Sequence, residues 1–343
     1  MAIRTIDITN IDTTGAKVGA NLIYSHGNTS FEWVSGTFTP TYVAPNLAGY
    51  TAGSAYGYDV GGNVTNSGIN RYPFTADTDA TDVGELIDTS HAVYEGTGTC
   101  STTYGYVAGG NQPPSSSPYS NNILRFPFTS PEGVAGDVGE LTYLTRLSCQ
   151  GISDIAGSYG YNVGNISAPT RSTMNRYPTV STGNATDVGE LATGRQWGAA
   201  SSSETAGYVI AGEIPADTDT IEKFPFASNS SSTQPATLLA VNRSQHGHQG
   251  QTHIYVSGGI SNADVIQKFT YAADTPATDV GELANPNSMH GGTSATSGFG
   301  YLTAGYPTNV RIEKFSMISD GGSSSVGNLA GSNRYRTQGN IQV

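Results

Sequence analysis

The sequence predicts an all-β fold: a six-bladed propeller closed by its C-terminal strand, with a small N-terminal β segment. Three observations carry this expectation. A cycle of motifs occurs six times at a period of about 50 residues, the spacing of propeller blades. Glycine supplies 44 of 343 residues and charged residues only 12%, too few Glu, Lys and Arg for long amphipathic helices. Each cycle has room for four short strands bounded by Gly, Pro, Asn and Ser, which is the content of one blade.

The first element of the cycle is an aromatic and apolar run ending in small residues. It reads Gly57-Tyr58-Asp59-Val60-Gly61-Gly62, Gly105-Tyr106-Val107-Ala108-Gly109-Gly110 and Gly160-Tyr161-Asn162-Val163-Gly164 in the first half of the chain. In the second half it reads Gly207-Tyr208-Val209-Ile210-Ala211-Gly212, Ile254-Tyr255-Val256-Ser257-Gly258-Gly259 and Gly300-Tyr301-Leu302-Thr303-Ala304-Gly305. The second element, such as Ile69-Asn70-Arg71-Tyr72-Pro73-Phe74 or Ile123-Leu124-Arg125-Phe126-Pro127-Phe128, has the alternation of a strand. Its aromatic residues share one face and its basic residue takes the other. Proline in most copies removes a ladder donor, which suits a strand end or an outer position.

The third element is Asp-Val-Gly-Glu-Leu, at Asp82 to Leu86, Asp137 to Leu141, Asp187 to Leu191 and Asp279 to Leu283, with decayed copies around Leu238 and at Ser325 to Leu329. A looser fourth element follows, as in Arg146-Leu147-Ser148-Cys149 and Arg195-Gln196-Trp197-Gly198. After Leu329 the chain repeats this fourth element and stops, while the first Gly-Tyr run has a poor predecessor around Tyr50. The C-terminal strand therefore completes blade 1, so that no blade edge is left open. Five or seven blades stay open as alternatives if residues near Tyr50 form a strand of their own.

Residues 1–46 lie outside the period. Leu22-Ile23-Tyr24, a turn at His26-Gly27-Asn28, and Phe31-Glu32-Trp33-Val34 read as a β-hairpin attachment segment, with the propeller spanning 47–343. So short a segment packs on a partner, on a second copy in an oligomer, or on the propeller.

The formal charge of −12 disfavours nucleic acid and anionic membrane as partners. No apolar run approaches the ~20 residues of a membrane helix, and the N-terminus lacks the apolar core of a secretory signal. Cys100 and Cys149 are too few for a disulfide framework and are expected as buried thiols.

The double glycines at Gly61-Gly62, Gly109-Gly110 and Gly258-Gly259 resemble the kelch family of β-propellers, over residues 57–343. The chain departs from that family in lacking its late tryptophan. More specifically, Gly-Tyr-Val-Ala-Gly-Gly followed by Arg-Phe-Pro-Phe and Asp-Val-Gly-Glu-Leu is similar to repeats of virion proteins, tail fibres above all, of marine tailed bacteriophages. That resemblance implies an extracellular, particle-borne structural or attachment role.

The recurring pairs Asp82/Glu85, Asp137/Glu140, Asp187/Glu190 and Asp279/Glu282 suit acid/base or calcium chemistry by residue type. An enzyme needs one asymmetric constellation, however, and four identical pairs are a repeat feature. They are expected to pair with the repeat's cations and to accept turn hydrogen bonds, and no cofactor is expected. The loops leading into the innermost strands share a face with those leaving the second strands. Arg146, Arg195, Trp197, Arg243, His246 and Arg334 are the candidate ligand-binding residues of that face, with the variable loops Asn111 to Asn122 and Glu213 to Thr220. Trp197 and Tyr335 offer surfaces on which a sugar could stack. His246-Gly247-His248 resembles metal spacing only weakly, and no nucleophile elbow or phosphate-binding glycine loop is visible.

The leading expectation is a bacteriophage virion protein binding host glycan or protein, attached to other virion proteins through residues 1–46. The alternatives are a polysaccharide-acting enzyme on a propeller scaffold and an intracellular kelch interaction scaffold.

Overall fold

The computed structural model describes residues 20–25, 30–35, 53, 55–62, 67–86, 94–111, 119–129, 135–145, 151–166, 171–228, 232–261, 264–271, 275–307, 310–331 and 338–342. The chain divides into two compact units, Met1–Pro45 and Asn46–Val343. In the first unit Ala20–Ser25 pairs antiparallel with Ser30–Ser35, in a register that sets Leu22 opposite Trp33 and Tyr24 opposite Phe31.

The second unit is a six-bladed β-propeller of four-stranded antiparallel sheets, with no helix among the described residues. From innermost to outermost strand, blade 1 is Gln338–Gln342, Tyr56–Val60, Gly68–Pro73 and Thr81–Glu85. Blade 2 is Thr97–Cys100, Tyr104–Ala108, Ser120–Pro127 and Gly136–Thr145. Blade 3 is Ile152–Asp154, Tyr159–Val163, Thr173–Pro178 and Thr186–Glu190. Blade 4 is Ala199–Ser202, Ala206–Ile214, Ala216–Pro225 and Thr233–Asn242. Blade 5 is His246–Gln249, His253–Ser257, Val265–Thr270 and Thr278–Glu282. Blade 6 is Gly291–Ala295, Phe299–Thr303, Arg311–Ser316 and Ser324–Asn328. The ring closes as the sequence predicts. Gln338–Gln342 pairs with Tyr56–Val60, joining the end of the chain to the start of the repeats. Tyr50 lies outside the described residues.

The first element forms the second strand of each blade, buried on both faces because a blade is sandwiched between two neighbours. Its tyrosine packs on the aromatic residues of the next blade's third strand, and this contact recurs around the whole ring. Tyr58 meets Phe126 and Phe128, Tyr106 meets Tyr177, and Tyr161 meets Phe224 and Phe226. Tyr208 meets Phe269 and Tyr271, Tyr255 meets Phe315, and Tyr301 returns to Tyr72 and Phe74 of blade 1. Ring separations of 4.9 to 6.2 Å in tilted or stacked geometry suit aromatic pairs. Tyr106, Tyr255 and Tyr301 also donate their hydroxyls to the Thr179, Met317 and Phe74 carbonyls of the next blade.

The glycine before that tyrosine has a steric cause. Gly105 faces Phe126 across the ladder, and a Cβ there would stand 2.4 Å from the ring. The small residues closing the strand have a conformational cause. Ala211 and Gly212 lie at φ +54° and +103°, and a Cβ on Gly212 would strike the Gln196 carbonyl at 2.6 Å.

The Asp-Val-Gly-Glu-Leu motif forms the outermost strand, and its backbone latches blade to blade. Ala135 N–H donates to the Glu85 carbonyl, Ala185 to Glu140, Ser232 to Glu190, Ala277 to Thr237, Ser323 to Glu282 and Ala80 to Asn328, all between 2.7 and 3.0 Å. A buried polar side chain in the third strand adds a second lock. Asn70, Asn175, Glu222 and Gln267 accept from the backbone N–H groups of Ala330, Thr142, Ala192 and Leu239 in the preceding blade.

The aspartates of the motif accept turn hydrogen bonds from the glycine two residues on, as at Asp82, Asp137, Asp187 and Asp279. The repeat's cations take a different arrangement from the expected pairing with these acids. Arg71, Arg125 and Arg176 lie 4.2 to 4.7 Å from the ring centroids of Tyr56, Tyr104 and Tyr159. Lys268 and Lys314 reach forward to Asp320 and Asp77 of the following blade. Cys100 is buried, and Cys149 lies outside the described residues.

Candidate functional site

The face predicted to carry recognition is assembled as the topology requires. Backbone bridges Tyr94↔Asn111, Gln196↔Glu213 and Ser288↔Tyr306 tie the segment leading into an innermost strand to the segment leaving the second strand of the same blade. Around the axis, Ser244 N–H donates to the Trp197 carbonyl and Met289 N–H to the Ser244 carbonyl. All three residues have φ between +53° and +58°, so each lead-in turns at one equivalent position.

This register separates two of the candidate residues. Arg195 precedes its turn by two positions, Arg243 by one. Arg195 is fully buried. Its guanidinium pairs with Glu222 and donates to the Ala211 and Thr220 carbonyls at 2.9 and 3.1 Å. A buried charge held on every side in this way organises the blade rather than a surface. Arg243 is part-exposed, lies 5.2 Å from the Trp197 ring centroid and pairs with Asp217 at 2.7 Å and Glu213 at 3.1 Å. Those two carboxylates stand opposite each other because the second and third strands of blade 4 run on past their counterparts to a tip at Pro215. What the sequence presented as the loop Glu213 to Thr220 is therefore strand. Trp197, Arg243, Glu213 and Asp217 form one polar and aromatic cluster on this face; the two acids were legible only as part of a variable loop.

His246 lies in the wall of the ring, fully buried, with its ring 4.9 Å from His248 and 5.9 Å from His290. His248 bonds Ser257 Oγ at 2.8 Å and the Thr293 carbonyl at 3.2 Å. Burial pulls His248 down to about 4 and His290 to about 3, so both are neutral at pH 7. Among the described residues no three His, Cys, Asp or Glu side chains are grouped to hold a metal ion. Arg146, Arg334 and Tyr335 lie outside the described residues.

Sequence reasoning passed over a second feature, on the opposite face. A cleft of about 260 Å³ opens between blades 4 and 5, lined among others by Thr205, Tyr208, Lys223, Gln249, Gln251 and Tyr271. A signal for it was present in the repeat. The residue two before the interface tyrosine is Tyr56, Tyr104, Tyr159, His253 or Phe299 in five blades and Ala206 in blade 4. No family model matches this chain, and no curated protein matches it.

Proposed function

We propose that this chain is an exposed propeller of a tailed-bacteriophage virion, kelch-like in its repeat, joined to other virion proteins through its N-terminal unit and binding host surface glycan or protein. The repeat motifs and their resemblance to phage virion repeats supply the setting. One observation supports a recognition role. The residues that define the repeat are buried in interblade locks, while Trp197, Glu213 and Asp217 of blade 4 and Arg243 at the entry to blade 5 gather on one face. A rigid ring displaying non-repeated groups is the usual division of labour in a recognition scaffold. Its mixed polar and aromatic composition suits a wet, hydrogen-bonded interface.

Protein analysis and electron microscopy of purified particles, labelled with an antibody to the propeller, test the proposal. Label on the particle surface and inhibition of host adsorption by the isolated protein are expected. Particles that lack the chain would remove the virion reading.

A further inference from the structure

We propose that the cleft between blades 4 and 5 is a subsite for one neutral, hexose-sized saccharide unit. The choice of ligand class rests on the attachment reading above; the site itself rests on a break in the repeat. In blades 1, 2, 3 and 6 the cation of the third strand lies over the aromatic ring at the position held by Ala206 in blade 4. In blade 4 Lys223 lies 5.5 Å from the Tyr208 centroid, as Lys268 lies 5.7 Å from Tyr255 in blade 5, and the cleft opens next to Ala206, lined by its neighbour Thr205, by Tyr208 and by Lys223. Blade 5 departs from the repeat at the same place. Phe74, Phe128, Thr179, Phe226 and Met317 occupy the position of Tyr271, so no other blade puts a phenol there. The Tyr271 hydroxyl donates to the Gly250 and Ser202 carbonyls at 2.9 and 3.2 Å, which fixes the phenol at the wall of the cleft.

The remaining walls mix donors and acceptors. The Gln249 and Gln251 amides come from blade 5, Thr205 and Glu204 from blade 4, and Lys223 from the floor. Paired amides, a hydroxyl and a carboxylate match the vicinal hydroxyls of a sugar. The charges of Lys223 and Glu204 offset each other, which argues against an anionic ligand. A volume of about 260 Å³ is below the ~300–1,000 Å³ of pockets for drug-sized ligands and limits the occupant to one ring.

The test is ligand-observed NMR on the full chain with methyl glycosides of glucose, galactose and mannose, and with methyl glucuronide as the acidic probe. Saturable binding of at least one neutral glycoside is expected. Ala206→Tyr, which restores the ring of the other blades, should abolish it. Gln251→Ala should weaken it by about five- to tenfold, the net worth of one hydrogen bond. Val180→Ala, an exposed side chain of blade 3 far from the cleft, should leave it unchanged. Should Ala206→Tyr fail to fold, Gln251→Ala and Tyr271→Phe carry the test. No binding of any neutral glycoside, preference for the glucuronide, or binding that none of the cleft variants weakens would each overturn the proposal. Because the assay uses isolated protein, its outcome is independent of whether particles carry the chain.

Discussion

The interface between blades 1 and 2 and the interface between blades 4 and 5 are built from the same parts with one side chain missing. In the first, Tyr58 packs 5.5 Å from Phe126 and 5.0 Å from Phe128, and Tyr56 lies beneath Arg71. In the second, Tyr208 stands 5.9 Å from both Phe269 and Tyr271, Ala206 stands where the ring would be, and a cleft lined by Thr205, Tyr208 and Lys223 opens beside it. Both keep the outer latch at 2.9 Å, from Ala135 to Glu85 and from Ala277 to Thr237. The interface between blades 4 and 5 thus keeps the backbone latch, the Gln267 lock and both contacts of the interface tyrosine without the ring under the cation. The ring under the cation is the part that one interface can surrender for a site.

Removing the strand common to both regions tests the frame of this comparison most severely. Deletion of the last eleven residues strips blade 1 of Gln338–Gln342, opens the ring and exposes strand edges, so aggregation and loss of cooperative melting are expected. An unchanged, cooperative melt would show that closure does not hold the ring. Next in size, Phe126→Ala should cost about 3 to 5 kcal/mol by denaturant titration, since it leaves a cavity in a close-packed interface. Phe269→Ala should cost less by roughly 1 kcal/mol, because its neighbours can relax into the cleft. Equal losses would mean that the cleft is as rigid as the filled interface.

Acid sharpens the contrast between these interfaces and the histidine wall of blades 5 and 6. His248 and His290 are held neutral by burial, whereas the unfolded chain protonates its histidines near 6.5. The unfolded state then binds more protons as pH falls from about 6.5 toward 4. Stability drops across that window, by roughly 3 kcal/mol from His248 alone. Melting curves from pH 7 to 4 should show this fall and a shallower one in His248→Gln; identical slopes would exclude the wall as its source. The smallest effect is expected from Ala206→Tyr, whose stability should stay within about 1 kcal/mol of the parent, since five blades already carry a ring there. A much larger loss would mean that the cleft is shaped by more than one missing side chain.

The blade count, the order of strands and the closing role of the C-terminus were legible because each follows from a repeat whose residues are confined by packing. Gly105 beneath Phe126 and Tyr106 against Tyr177 recur because the same steric problem recurs in nearly every blade. The site was legible only in part. Trp197 and Arg243 stood out by residue type, but Arg195 looked alike in sequence and is buried on Glu222, an ion pair that local spacing cannot reveal. The cations looked like partners for the nearest acids, whereas sheet geometry puts them over aromatic rings and next to the following blade. Ala206 carried information as a departure from the repeat, which stands out only when the six copies are compared position by position.

The pairing of Gln338–Gln342 with Tyr56–Val60 also sets a schedule for biosynthesis. On the ribosome, blades 2 to 6 can form in order as their strands emerge, each latching onto the one before. Blade 1, begun first, must wait with an open inner edge until the last strand is made. During that interval the inner edge of blade 1 is an unpaired strand edge, open to pairing with another chain. A chain without Gln338–Gln342 can form the strands of blades 2 to 6 and still not close the ring.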